Sequence, residues 1–157
     1  MWFSRTPQKI LAQPDTKAVV RELVARIGSD RGFAQLSHAE RCLLLVYRLR
    51  AETLNGTLEQ YLANSSGDAF AETVAALSEI GAKDAQSVLE EVAAWFPDSI
   101  PPKDRTTRGG LIEKMREPSP EAFEKQVRAA TDRITAAFGQ TLNDLVNYLR
   151  EHVADIK

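Results

Sequence analysis

At 157 residues the chain fits one domain, long enough to bury roughly 68–70% of the surface its unfolded form exposes, and a composition of 43% hydrophobic and 27% charged residues excludes a disordered polymer. Its one cysteine, Cys42, excludes an internal disulfide; set in the apolar run CLLLVY it reads as a small buried hydrophobe suited to a reducing compartment. The net charge of −2 is unevenly spread: residues 1–50 sum to +5, residues 51–98 to −8 and residues 99–157 to +1. An acidic middle of this kind is either a partner-facing surface or simply a solvated set of helix faces.

The opening MWFSRTPQKI has neither a basic start nor a continuous apolar stretch, so it does not read as a secretory signal. No run approaches the roughly 18 apolar residues of a membrane span. The expectation is a cytoplasmic protein with no membrane partner. Asp15 is placed to cap a first helix with the stripe Val19, Val20, Leu23, Val24 and Ile27, stopped by Gly28. Ser37 and Glu40 have capping-box spacing and open a helix running to about Leu54. Its stretch from Cys42 to Tyr47 is apolar all round, which predicts the central element of the core.

After NGTLEQYLANSSG, Asp68 is the expected cap of a helix closing at Gly81, with Phe70, Thr73, Val74, Leu77 and Ile80 inward. At 100° per residue Asp68, Glu72 and Glu79 fall within about 40° of each other on the opposite side. Residues 84–96 repeat the pattern, with Ala85, Val88, Leu89, Val92 and Phe96 inward and Glu90 and Glu91 outward, until Pro97. Paired prolines and glycines make DSIPPKDRTTRGG, residues 98–110, a surface loop by composition. A short helix at Leu111–Arg116 follows. Ser119 and Pro120 then launch a long helix with the stripe Phe123, Val127, Ala130, Ile134 and Ala137, which Gly139 is expected to end. A last helix from about Thr141 carries Leu142, Leu145, Val146, Leu149, Val153 and Ile156. No period-2 strand and no internal repeat is present. The fold class is therefore all-α: a compact single-domain array of about seven helices over residues 1–157, built around a buried central helix.

Chemistry is sparse. Nucleophilic catalysis needs a thiol or hydroxyl beside a base, and nothing in the spacing assigns His38 or His152 to Cys42. The two histidines read as helix-end or surface groups, no zinc spacing is evident, and no catalytic residue, metal or cofactor is expected. Asn64 to Asp68 lacks the alternating carboxylates of a calcium loop. RTTRGG lacks the strand and lysine of a phosphate-binding turn, although Arg105 and Arg108 make anion binding its minor alternative. Basic residues of the N-terminal third, Lys17, Arg21, Arg26, Arg31 and Arg41, have no interleaved aromatics, so no direct nucleic-acid binding is expected.

The word AETLNGTLEQYLANSSGD, followed by ALSEIGAKDA, resembles the bacterial DNA-mimic-protein-like family. The matching residues are Asn55, Gly56, Gln60, Tyr61, Asn64, Ser65, Ser66, Gly67, Ile80, Gly81 and Ala82; Thr57 departs from a second glycine and Leu58 from a common aromatic. The match is strongest over residues 40–97. The motif itself reads as structural, two helix ends joined by a corner that satisfies its own backbone. The resemblance implies a non-catalytic protein-interaction domain, working as a dimer, whose carboxylates stand where DNA phosphates would and occupy the basic surface of a DNA-binding regulator. In this chain Asp68, Glu72, Glu79, Glu90 and Glu91 are the residues available for that role. The alternative is an immunity protein neutralising a toxin, and an uncharacterised enzyme ranks below both. The outcome most damaging to mimicry is internal pairing of the acidic segment with the basic N-terminal third, through Arg21 or Arg26.

Overall fold

The computed structural model describes residues 5–28 and 31–157. Among these residues there are eight α-helices and no strand: α1 (Pro7–Leu11), α2 (Thr16–Ile27), α3 (His38–Asn55), α4 (Leu58–Ala63), α5 (Phe70–Glu79), α6 (Lys83–Ala93), α7 (Arg105–Arg116) and α8 (Pro120–Glu151). Of the opening MWFSRTPQKI, residues 1–4 lie outside the described set, and Pro7–Leu11 form a short helix capped by Thr6. No described helix is long and apolar enough to cross a membrane.

Three of the four predicted side-chain caps form. Asp15 accepts from the amides of Lys17 and Ala18, Ser37 and Glu40 close a full capping box, and Ser119 accepts from Ala122. Gly28 leaves α2 at φ 67°, the left-handed turn that a side chain resists.

Two long helices organise the core. α3 buries Cys42, Leu43, Leu45, Val46 and Leu49 and packs against α2, α4, α5 and α8. α8 runs 32 residues and buries a continuous stripe from Phe123 through Ile134 and Phe138 to Leu149. Gly139 does not end it. The residue stands exposed in the middle of the helix, where a missing side chain removes no contact, and Phe138, Thr141 and Leu142 on the opposite face hold the helix straight against the core.

The 98–110 segment is only partly a loop. Asp98 and Ser99 have φ of 58° and 56°, and they project Ile100, 64% exposed, into solvent. From Arg105, however, the chain is helical. Asp104 caps α7 by accepting from the amide and hydroxyl of Thr107, and Gly109 and Gly110 lie inside the helix. What overrides the poor propensity of RTTRGG is Arg108, which is fully buried.

Asp68 is also not a helix cap. Ser65–Ala69 wind into a 3-10 turn, α5 starts after Ala69 without a side-chain cap, and the Asp68 carboxylate turns to Arg108.

Candidate functional site

The acidic residues come first. Glu72 and Glu79 stand two turns apart on α5 and flank one cleft of about 250 Å³, together with Phe33, His38, Arg41, Cys42 and Leu45. Four of the five candidate carboxylates have a cationic or basic partner. Glu72 Oε1 accepts from Lys103 at 2.6 Å, Asp68 from Arg108 at 2.7 Å, and Glu91 takes a two-pronged bond from Arg133 on α8. Glu79 Oε2 lies 2.6 Å from His38 Nε2, and its other oxygen accepts from the Tyr148 hydroxyl at 2.7 Å. Glu90 is exposed and accepts only from Gln86 on its own helix. Arg133 holds the Glu91 carboxyl below its usual range, as Lys103 does for Glu72. For Glu79 the Tyr148 hydroxyl lowers it most, His38 adds to this, and burial opposes both. The partners are Lys103, Arg108, Arg133 and His38; Arg21 makes none of these pairs, and Arg26 instead donates to the carbonyls of Lys157 and Arg5. Four of the carboxylates are thus tied to different neighbours, Asp68 and Glu72 to the 103–108 segment, Glu79 to α3 and the end of α8, and Glu91 to the middle of α8, while Glu90 stays on its own helix.

The motif residues form a second cluster, centred on a residue outside the motif. Glu52 accepts from Gln60 at 3.0 Å, from Asn64 at 2.8 Å and from Ser66 at 3.3 Å. These donors, Gln60 foremost, lower its carboxyl against the upward push of burial. Gly56 closes the group by close approach, since a β-carbon there would stand 2.2 Å from Gln60 Oε1. Asn-Gly is a pair suited to left-handed backbone at a helix end, yet neither Asn55 nor Gly56 has a positive φ. Asn55 and Ser65 are exposed and take no part in the cluster. Tyr61 is fully buried; its hydroxyl donates to Thr73 at 3.0 Å, and burial pushes its pKa up to about 12.

Arg108 joins this corner to α7. Its guanidinium donates to the carbonyls of Leu62, Asn64, Pro102 and Lys103 and to Asp68, so all the fork is used. Gly67 passes directly beneath it, where a β-carbon would meet Leu62 O at 2.7 Å, Tyr61 O at 2.8 Å and Arg108 Nε at 3.0 Å. RTTRGG therefore holds the corner of its own chain and leaves no free fork at Arg108 for an anion. Sequence reasoning missed this contact because the two words are 40 residues apart.

A third cluster gathers residues the sequence left separate. His38 and Cys42, which the sequence reading left unpaired, are spaced i, i+4 on α3, and that spacing puts them on one face. α5 adds Glu79, and the three ligand-type atoms lie within 4.8 Å of one another. Burial and the Glu79 charge push the Cys42 thiol up to about 11, so it is not an activated nucleophile. Behind them the Tyr148 ring stacks on His152 at 4.1 Å.

A family model described as DMP19-like protein matches residues 34–152, from before α3 to the end of α8. The chain belongs to the DMP19-like protein family. No curated protein and no solved structure matches it. The family match takes in all three clusters of this DMP19-like chain, and it leaves α1 and α2 outside.

Proposed function

We propose that this DMP19-like chain is a non-catalytic protein-interaction domain that binds the basic, DNA-contacting surface of a regulatory protein through its acidic middle segment. The observation that carries the reading is the exposed charge of residues 51–98. Asp84, Glu90 and Asp98 make no ion pair among the described residues, and Lys83 is the only Lys or Arg of the segment. The pairs of Glu72 with Lys103 and of Glu91 with Arg133 are solvent-exposed, and exposed pairs of this kind hold only weakly because water and salt screen them. A basic partner surface exchanges with them at little cost. Asp68, facing a fully buried Arg108, and Glu79, holding Tyr148, contribute charge while keeping their internal bonds.

The test uses the purified chain as bait in extract of its own cells, followed by kinetics with the isolated partner. The expected partner is a DNA-binding protein that DNA displaces from the chain, with association slowing as salt rises. Glu72→Lys combined with Glu90→Lys is expected to lower the association rate at low salt by roughly tenfold with folding retained. A partner that binds DNA and this chain together overturns the reading, and so does an unchanged association rate. Capture of a toxin replaces it with the neutralising alternative.

A further inference from the structure

The His38, Cys42 and Glu79 cluster goes beyond partner binding. Its three ligand atoms make a triangle: His38 Nε2 to Glu79 Oε2 is 2.6 Å, and Cys42 Sγ is 4.0 Å from each. One point in that triangle stands about 2.0 Å from the nitrogen and the oxygen and about 2.3 Å from the sulfur, which are the bond lengths zinc makes to imidazole, carboxylate and thiolate. Ion pairing alone does not require a buried thiol at that distance from both members of the pair. We propose that His38, Cys42 and Glu79 form a binding site for a borderline-soft divalent transition ion of the Zn²⁺ class.

Three further features fit a metal centre. The cleft in front of the cluster gives an approach path and room for a fourth ligand, and it is lined by Phe33, Arg41, Leu45 and Glu72. The second Glu79 oxygen is fixed by the Tyr148 hydroxyl at 2.7 Å, the outer support that orients a ligating carboxylate. His38 is largely exposed, with 70% side-chain accessibility, so it can swing to open the tight 2.6 Å nitrogen to oxygen separation toward tetrahedral spacing. One carboxylate and one thiolate bring two negative charges to a dication, and the set of nitrogen, sulfur and oxygen donors favours zinc or cobalt over magnesium or calcium. Binding replaces the thiol proton of Cys42 and releases it to solvent, so affinity rises with pH.

The test is titration of the reduced, chelator-treated full chain with Co²⁺, followed by competition with Zn²⁺. One equivalent is expected to bind, with a thiolate-to-cobalt charge-transfer absorption and the intense visible bands of low coordination number, both bleached by Zn²⁺. Cys42→Ser is expected to abolish the charge-transfer absorption. His38→Gln changes an exposed side chain, leaves the melting temperature of the metal-free protein in place, and is expected to weaken Co²⁺ binding at least about tenfold. Absence of saturable binding overturns the proposal. So does binding by both variants that matches the parent. The partner test changes Glu72 and Glu90 and the metal test changes His38 and Cys42, none of which the two tests share, so each reading stands or falls on its own result.

Discussion

At the scale of single residues, two buried charges carry more than the exposed ones. Arg108 satisfies four carbonyls and Asp68 at once, so Arg108→Leu leaves several buried acceptors without donors. Each such acceptor costs about 1–3 kcal/mol. A loss of at least about 3 kcal/mol is expected in urea unfolding, and Arg108→Lys does not rescue it, because an ammonium has no planar fork. Gly67→Ala is expected to cost about 1–3 kcal/mol by overpacking against the same carbonyls, with no change in helix content by circular dichroism. Glu40 is the second buried charge. It is fully buried yet takes bonds from Arg31 at 2.9 and 3.2 Å, from the Ser37 amide at 2.9 Å and from the Lys157 amide at 3.0 Å. Burial alone pushes its carboxyl up, and the bonds from Lys157, Ser37 and Arg31 outweigh it, so the folded value lies below the usual range. The sign follows from linkage. A depressed carboxyl contributes stability that is present above the unfolded-state value near 4.3 and is lost as pH falls through the folded value. Glu40→Gln is therefore expected to destabilise by about 3 kcal/mol at neutral pH. The gap to the parent should shrink as acid is added in a series of urea melts.

At the scale of elements, α7 and α8 show how far packing overrides propensity. Gly109, Gly110 and Gly139 sit inside helices that their composition argues against, because burial of Arg108 and Ile112 in one case and of Phe138 and Leu142 in the other holds the backbone. An added β-carbon at Gly110 or Gly139 meets nothing within 4 Å. Gly139→Ala is expected to stabilise by about 0.5–1 kcal/mol, raising the thermal midpoint by a few degrees, since the unfolded glycine has more freedom to lose. If the helix were broken at Gly139, no such gain would appear.

At the scale of the whole molecule, α3 and α8 each cross most of the other helices, and one apolar cluster runs from Ile10 to Ile156. Unfolding is expected to be a single transition with far-ultraviolet and near-ultraviolet dichroism coinciding. The charge pattern gives another expectation at this scale. Among the described residues the acidic middle draws its Lys and Arg partners from Lys103, Arg108, Arg116 and Arg133, and the exposed carboxylates it keeps repel a polyanion. No retardation of duplex DNA is expected in a gel at physiological salt.

The larger helices, three of their side-chain caps and much of the core were legible in the sequence, because apolar periodicity and capping chemistry are local: the stripe of α2, the capping box of α3, the inward faces of α5 and α6 and the Ser119-Pro120 start all follow from neighbours within a few residues. Family membership was legible too, but not the contacts of NGTLEQYLANSSGD, whose Gln60, Asn64 and Ser66 donate to Glu52 and whose Gly67 makes room for the Leu62 and Tyr61 carbonyls and Arg108. Tertiary structure alone decided where each charge ends. Hydrogen bonds of a guanidinium or carboxylate depend on groups brought together across 40 to more than 100 residues, as with Arg108 and Asp68 or Glu40 and Lys157. That same long-range packing set Glu79 of α5 beside the His38 and Cys42 of α3, turning a spacing on one helix into a three-sided site.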